Sequence, residues 1–407
     1  MLVSPSRTAL VPAALLGLAL LVGCGQDTAG APAAARPAAA ASPSPSPTPT
    51  CVPASLERRA AAVLVVGIPG VTTAQDALGQ SVVDLGVGGL FLSEPNVESA
   101  EQVRALVDGL RARAGRPLLV STDEESGRVA VTREIVGAGP SPRRLAREGS
   151  PEQVRQFAAS VGARLAEVGI DVDLAPLLDL DAGPSGGIVG DRSFSADPEL
   201  AAAYGLAFSA GLTDAGVTPT VKHFPGQGRS TTDTHATGAV VDAGVDELRS
   251  TDLLPFQRAI DAGAPVVMLN HLGYRALDPD LPASVSPRAY ALLREMGFEG
   301  VAMTDSLGMG AINLRWDFPE AAVRAVEAGS DAALATDGNQ AVRMRDALVE
   351  AVRSGRLPEE RLSEAAARVT ALAGGDPRAM SCLDLTLPTL AVPAVPSAVS
   401  RVPSPTG

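Results

Sequence analysis

A regular alternation runs through most of this chain: a short, β-branched, nearly continuous apolar run, then an amphipathic stretch of helical period. The apolar runs lie at residues 62–68, 88–92, 117–121, 172–178, 218–222, 265–270, 300–304 and 331–335. Strands buried on both faces read this way, because a parallel sheet covered by helices has no polar face. The intervening stretches include Val97–Ala114, Pro151–Val168, Pro198–Ala215 and Val245–Ala262, each with apolar residues at helical spacing. Eight such units in about 320 residues match a single-domain (β/α)8 barrel, with a doubly wound open sheet as the structural alternative. No Gly-x-Gly-x-x-Gly follows the first strand, which weakens a dinucleotide-binding reading, and no cofactor is expected.

The barrel occupies residues 53–375 in this reading, and the flanks have a different character. Residues 9–22 form an apolar run behind Arg7, long enough for a signal-peptide core and too short to span a bilayer comfortably. The run ends in Leu21-Val22-Gly23-Cys24, which resembles a bacterial lipobox, so residues 1–23 are expected to be a lipoprotein signal peptide and Cys24 the lipidated residue. That places the protein outside the cell, anchored to the outer face of the cytoplasmic membrane. Residues 24–52 are largely Ala, Pro, Ser and Thr, a disordered tether that cannot bury enough apolar surface to fold. Residues 376–407 form a C-terminal tail, Pro/Ser/Val-rich and poorly ordered from about Leu385. Cys51 and Cys382 flank the barrel, and in an oxidising compartment they are candidates for a disulfide; two free thiols are the alternative.

A barrel of this kind places its chemistry just beyond the carboxyl ends of its strands. Asp123, Asp179, Lys222-His223, His271, Asp305 and Asp337 follow the third to eighth runs in order. The chain has 33 Lys+Arg, yet Lys222 is its only lysine, and its three histidines, His223, His235 and His271, all lie within fifty residues of Lys222. Arginine bias is a genomic habit, but the positions of the exceptions are informative. A strand-end lysine is a fixed cation with three donors, suited to gripping hydroxyls or a carboxylate. His223 by itself reads as a satisfied core histidine, and it is Lys222 beside it that makes it a candidate for the site. In Asp233-Thr234-His235 a carboxylate two residues from an imidazole can fix its tautomer and leave the other nitrogen for proton transfer, although a solvated loop has the same spacing. Asp305 can act as nucleophile or base, or cap the next helix.

Other classes of function fit less well. A net charge of −13 without a basic cluster argues against nucleic-acid binding. The histidines are 12 and 36 residues apart, without His-x-His or His-x-x-x-His spacing, so no metal site is assigned. A metal-dependent hydrolase on the same barrel and a sugar-binding lipoprotein that has lost catalysis remain as alternatives.

An ordered series of motifs resembles glycoside hydrolase family 3, in particular its single-domain β-N-acetylglucosaminidases of the NagZ type. The series is Asp123-Glu124-Glu125-Ser126-Gly127-Arg128-Val129, Asp191-Arg192-Ser193-Phe194, Lys222-His223-Phe224-Pro225-Gly226 and Asp233-Thr234-His235, then Val267-Met268-Leu269-Asn270-His271, Leu281-Pro282-Ala283-Ser284 and Gly297-Phe298 through Met303-Thr304-Asp305. The resemblance implies a retaining exo-β-N-acetylglucosaminidase acting on cell-wall, muropeptide-type fragments or related glycosides. In that reading Asp305 forms a covalent glycosyl-enzyme, and His235, oriented by Asp233, is the acid and base. Asp123, Arg192, Lys222 and His223 hold the sugar, and a loop carrying His235 closes over it. The implied partners are a small carbohydrate substrate and the membrane through Cys24, for a monomeric protein that binds no nucleic acid. The chain departs from the family pattern at Ser126, Gln227 and Arg229, and at Val131 and Pro95, where relatives carry arginines near the substrate. These departures bear on the aglycone and on the base of the catalytic loop.

Overall fold

The computed structural model describes residues 51–181 and 183–391. The apolar run 9–22, Cys24 and the tether up to residue 50 lie outside the described residues.

Eight parallel strands form the expected barrel: β1 (Leu64–Gly67), β2 (Gly89–Leu92), β3 (Leu119–Thr122), β4 (Val172–Asp173), β5 (Thr218–Phe224), β6 (Val266–Leu269), β7 (Val301–Thr304) and β8 (Ala333–Ala335). Neighbours in the chain are neighbours in the sheet, and β1 pairs with β8. A parallel bridge between Met303 and Ala332 joins β7 to the residue before β8, and Thr304 N–H donates to Ala332 O at 3.0 Å. The barrel is thereby closed without an exposed strand edge.

Side-chain alternation explains the continuous apolar character of the strands. Val65, Phe91, Leu119, Val172, Leu174, Val266, Met268, Val301, Met303 and Leu334 fill the barrel interior. The alternate residues, such as Leu64, Val66, Leu90, Leu92 and Val120, face the helix shell. Every position is buried from one side or the other, and each large side chain so buried contributes roughly 1.5–3 kcal/mol.

β4 is much shorter than the run at 172–178 suggests. Pro176 has no N–H to give to the ladder. Pairing with β5 continues irregularly, through Thr220 N–H to Ala175 O and a Leu177–Lys222 bridge. This irregular extension carries Asp179 to the mouth of the barrel.

Capping residues set the helix limits. Ser99, Ser150 and Asp197 accept hydrogen bonds from the third residue of helices Ala100–Ala114, Pro151–Glu167 and Pro198–Asp214. Gly211 lets the last two of these pack backbone to backbone, since a Cβ there would lie 2.2 Å from Arg155 O. The stretch expected as one helix over Val245–Ala262 is two, Val245–Ser250 and Leu253–Asp261, broken at Thr251 and the buried Asp252.

The base of the barrel is stoppered. Leu372, Ala373 and Leu387 pack on the interior cluster from below. Leu390 sits against Ala210 and Ala262, and Ala391 N–H donates to Ala262 O at 2.8 Å. The stretch expected to lose order from about Leu385 is therefore packed as far as Ala391, because its leucines have barrel surface to cover. Cys51 and Cys382 are joined by a disulfide, with their Cα atoms 5.7 Å apart.

Candidate active site

Among the described residues the base is closed, and the interior layer of Phe91, Leu174, Met268 and Leu334 is reached from the carboxyl ends of the strands. These four residues floor a pocket of about 510 Å³. Asp123, Arg192, Lys222, His223, Asp233, His235 and Asp305 all line it. All seven residues singled out in the sequence for catalysis or sugar binding are thus brought together.

β5 supplies two adjacent side chains. Its register with β6 shifts between Val221 and Phe224, around the cis peptide that joins Lys222 to His223, and both side chains line the pocket. Lys222 Nζ lies 2.6 Å from Asp123 Oδ1 and 2.7 Å from Glu125 Oε1. Arg192 grips Glu125 with both edges of its fork, Nε to Oε2 and Nη2 to Oε1, each at 2.6 Å. Arg192, Glu125, Lys222 and Asp123 therefore form a chain of alternating charge along one wall. Burial works against charge on Glu125, but Arg192 and Lys222 outweigh it and hold the carboxyl well below the usual range. Burial likewise opposes charge on Lys222, and Asp123 and Glu125 more than restore it.

His223 Nδ1 lies 2.6 Å from Asp179 Oδ2, and Asp179 Oδ1 accepts the Gln227 N–H at 2.6 Å. Asp179 thus fixes the ring and the start of the following loop. That loop carries Asp233 and His235, whose Nδ1 lies 2.8 Å from Asp233 Oδ1 at the pocket rim. It is docked on the segment after β7 by Gly310 N–H to His235 O, 2.9 Å, and Ala311 N–H to Thr234 O, 3.1 Å. Gly310 permits this approach, since a Cβ there would stand 2.4 Å from Ala236 O. Arg229 braces the base of the loop, donating to Asp252 Oδ2 at 2.7 Å and to Glu247 Oε1 at 2.5 Å.

Asp305 ends β7. Burial pushes its carboxyl up, and the opposing pulls, from His271 and His223 to the extent that they are protonated and from the Ser306 N–H and Lys222, leave it below the usual aspartate value, so it is ionised at neutral pH. Asp337, by contrast, accepts the Asn339 N–H at 3.0 Å and serves as a cap outside the pocket.

The chain's likeness to known proteins agrees with this layout. Residues 56–372 match the family model described as glycosyl hydrolase family 3 N terminal domain. The chain belongs to glycosyl hydrolase family 3. Beta-hexosaminidase LpqI of Mycobacterium tuberculosis is 36% identical over 336 residues, which cover 80% of this chain and 85% of that relative. The solved structure of M. tuberculosis LpqI superposes with a TM-score of 0.74 over 80% of this chain and 98% of that one, at 36% identity. The family 3 β-N-acetylglucosaminidase from Paenibacillus sp. str. FPU-7 gives 0.75 at 34% identity, covering 82% and 65%.

Within this family 3 site, two carboxylates escaped the sequence assignment of roles. Glu125 lies two residues after Asp123 in the hairpin of Glu124–Ser126 and Val129–Ala130, and that spacing was the available signal. Asp179 was recognisable as a strand-end acid but not as the partner of His223. Among the described residues no three His, Cys, Asp or Glu side chains converge as a metal-ligand set.

Proposed function

We propose that this family 3 enzyme is a retaining exo-β-N-acetylglucosaminidase. The reading is carried by the convergence of an ionised strand-end carboxylate, Asp305, and an imidazole–carboxylate pair, His235 and Asp233, on one floored pocket. A pocket closed below takes a chain end, not its middle, which favours exo action.

Asp305 attacks the anomeric carbon while the bond to the leaving oxygen breaks and His235 Nε2 gives that oxygen a proton. His235 then takes a proton from water, whose oxygen displaces Asp305 and releases the sugar with its configuration retained. The usual plan uses two carboxyl groups about 5–5.5 Å apart. An imidazole with an unperturbed pKa of about 6.5 can fill the acid and base role near neutrality. Asp123, Lys222, His223 and Arg192 hold the sugar hydroxyls from the charged wall.

The test is nitrophenol release from the β-N-acetylglucosaminide and the β-glucoside, by wild type and Asp305→Ala. Preference for the first substrate and loss of activity in the variant are expected. Turnover of neither substrate, or a variant as active as wild type, overturns the reading.

The natural substrates are proposed to be cell-wall fragments of the muropeptide type, met by a monomer anchored through Cys24 outside the cytoplasmic membrane. The lipobox-like run and a disulfide suited to an oxidising compartment support this. Cys24→Ala should move the enzyme from the membrane fraction to the soluble one; retention in the membrane would count against the anchor.

A further inference from the structure

His271 lies outside the pocket lining and is wholly buried beneath the ends of β6 and β7. Both ring nitrogens are engaged. Nε2 is 2.8 Å from the Ser306 carbonyl oxygen, and Nδ1 is 2.7 Å from Ser284 Oγ. A carbonyl only accepts, so Nε2 carries the proton and Nδ1 accepts from the Ser284 hydroxyl. Burial depresses the ring's pKa, in keeping with a neutral imidazole.

Each end of this relay is anchored. Ser284 N–H donates to Asn270 O at 2.9 Å, and the Tyr290 hydroxyl donates to Ser284 O at 2.9 Å. At the other end, Ser306 N–H donates to Asp305 Oδ1 at 2.7 Å. Among the described residues this N–H is the only hydrogen-bond donor on the Asp305 carboxylate. The direction in which Asp305 points therefore depends on how Ser306 is held, and the Ser306 carbonyl is held by two donors, His271 Nε2 and, at 3.0 Å, the Met309 N–H, of which His271 is the side chain.

We propose that His271, with its tautomer set by Ser284, is a positioning residue for Asp305: by fixing Ser306 it aims one carboxylate oxygen and leaves the other free to attack. The inference rests on Asp305 being the nucleophile. Because the ring is neutral, it holds the carboxylate in place without the full charge of an imidazolium, which would make it a poorer nucleophile.

The test uses His271→Phe, which keeps a buried ring without either bond, together with His271→Gln, Ser284→Ala and the His271→Phe/Ser284→Ala double variant. Misplacement of a reacting group by about 1 Å can cost about 10²-fold in rate. The expected result is a loss of about that size in kcat for His271→Phe, with KM within about threefold. Ser284→Ala should lose about fivefold, the worth of one hydrogen bond. His271→Gln, with a donor and an acceptor, should recover much of the rate. The double variant should be no worse than His271→Phe, because Ser284 acts only through the ring. Unchanged kcat in every variant, or a Ser284→Ala loss that adds in full to that of His271→Phe, overturns the proposal. Nitrogen NMR of the three histidines supplies a readout independent of substrate and of whether His271→Phe folds. His271 should be neutral with its proton on Nε2 in wild type, and a proton on Nδ1 overturns the proposal. An inactive wild type with the expected tautomer would count against the hexosaminidase reading and would also remove the reaction that His271 is said to serve.

Discussion

His235 and Asp233 meet twice: the ring Nδ1 and the backbone N–H of His235 both lie on Asp233 Oδ1, at 2.8 and 2.9 Å. One carboxylate oxygen thus fixes both the ring and the turn that carries it, and leaves Nε2 as the nitrogen available to a substrate. The backbone bond, then the ring, holds the Asp233 carboxyl below its usual value. Asp233 stays charged as pH falls into the mildly acidic range. Asp233→Asn should therefore lose activity at every pH from about 5 to 8, by about 10²-fold with a poor leaving group, the scale of general acid catalysis. A nitrophenyl leaving group, which needs little protonation, should lose much less in the glycosylation step. Equal losses with both leaving groups would remove His235 from the role of acid. Both side chains are largely exposed, so stability should hardly change.

Glu125 is the keystone of the charged wall, shared between Arg192 and Lys222. Glu125→Gln leaves two buried cations with one acidic partner fewer, and breaking a buried pair this way costs about 3–5 kcal/mol. The sign of its pH dependence follows from its depressed pKa. The stabilising contribution is present above the ordinary glutamate range and is lost as pH falls below it. Denaturant unfolding of wild type and variant should show a wide gap at neutral pH that narrows in acid. A gap independent of pH would mean that the carboxylate is not the charged hub. In the same variant kcat/KM should fall sharply, since Lys222 loses one of the two groups that aim it.

The neighbouring residue behaves in the opposite sense. Burial pushes the Glu124 carboxyl up to about 7, against the Thr132 hydroxyl and N–H bonds that favour its charged form. A carboxyl whose folded pKa is raised holds its proton longer than the unfolded chain does, so stability declines as pH rises from about 4.5 to about 7. Glu124→Gln keeps an acceptor for Thr132 and removes the cost of ionisation. It should be more stable than wild type at pH 7.5 by up to about 3 kcal/mol and no more stable at pH 4.5. Thermal unfolding at the two pH values checks this, and a stabilisation equal at both would show that ionisation is not the cause.

The difference between Glu125 and Glu124 shows what the sequence could and could not reveal. Both sit in one motif, and alternation places them on opposite sides of the chain, but nothing local says which one meets Arg192, 67 residues away. The eight strands were legible because double burial leaves a continuous apolar run, and the active face followed from their carboxyl ends. β4 was overestimated because its regular ladder ends before Pro176, and pairing with β5 continues only irregularly beyond it. The packed segment through Ala391 was missed because the Pro/Ser/Val-rich character of the residues after it was extended back to Leu385, whereas the segment itself carries Leu387 and Leu390, which do the burying. His271 looked like a spare histidine because both its partners, Ser284 and the Ser306 carbonyl, are distant in sequence and carry no charge.

The disulfide and the site lie at opposite ends of the barrel. Residues 379 and 380, just before Cys382, sit beside Gly88 and Pro117, which precede β2 and β3, whereas the pocket opens beyond the strands' carboxyl ends. The bond closes a loop across a sequence separation of 331 residues. Cross-linking so long a loop restricts the unfolded chain strongly, and typical disulfides stabilise by about 2–4 kcal/mol. Cys382→Ser, and wild type under reducing conditions, should both unfold at lower denaturant by an amount in that range. The loss should come with loosening of residues 383–391, read as faster amide exchange at Leu387 and Leu390, whose anchor at Cys382 is gone. Turnover should not follow it, because among the described residues no hydrogen bond or ion pair joins Cys51 or Cys382 to a residue lining the pocket. If kcat/KM fell together with stability under native conditions, the base of the barrel would be coupled to the site through the interior layer of Phe91, Leu174, Met268 and Leu334, and the two ends could not be treated as independent.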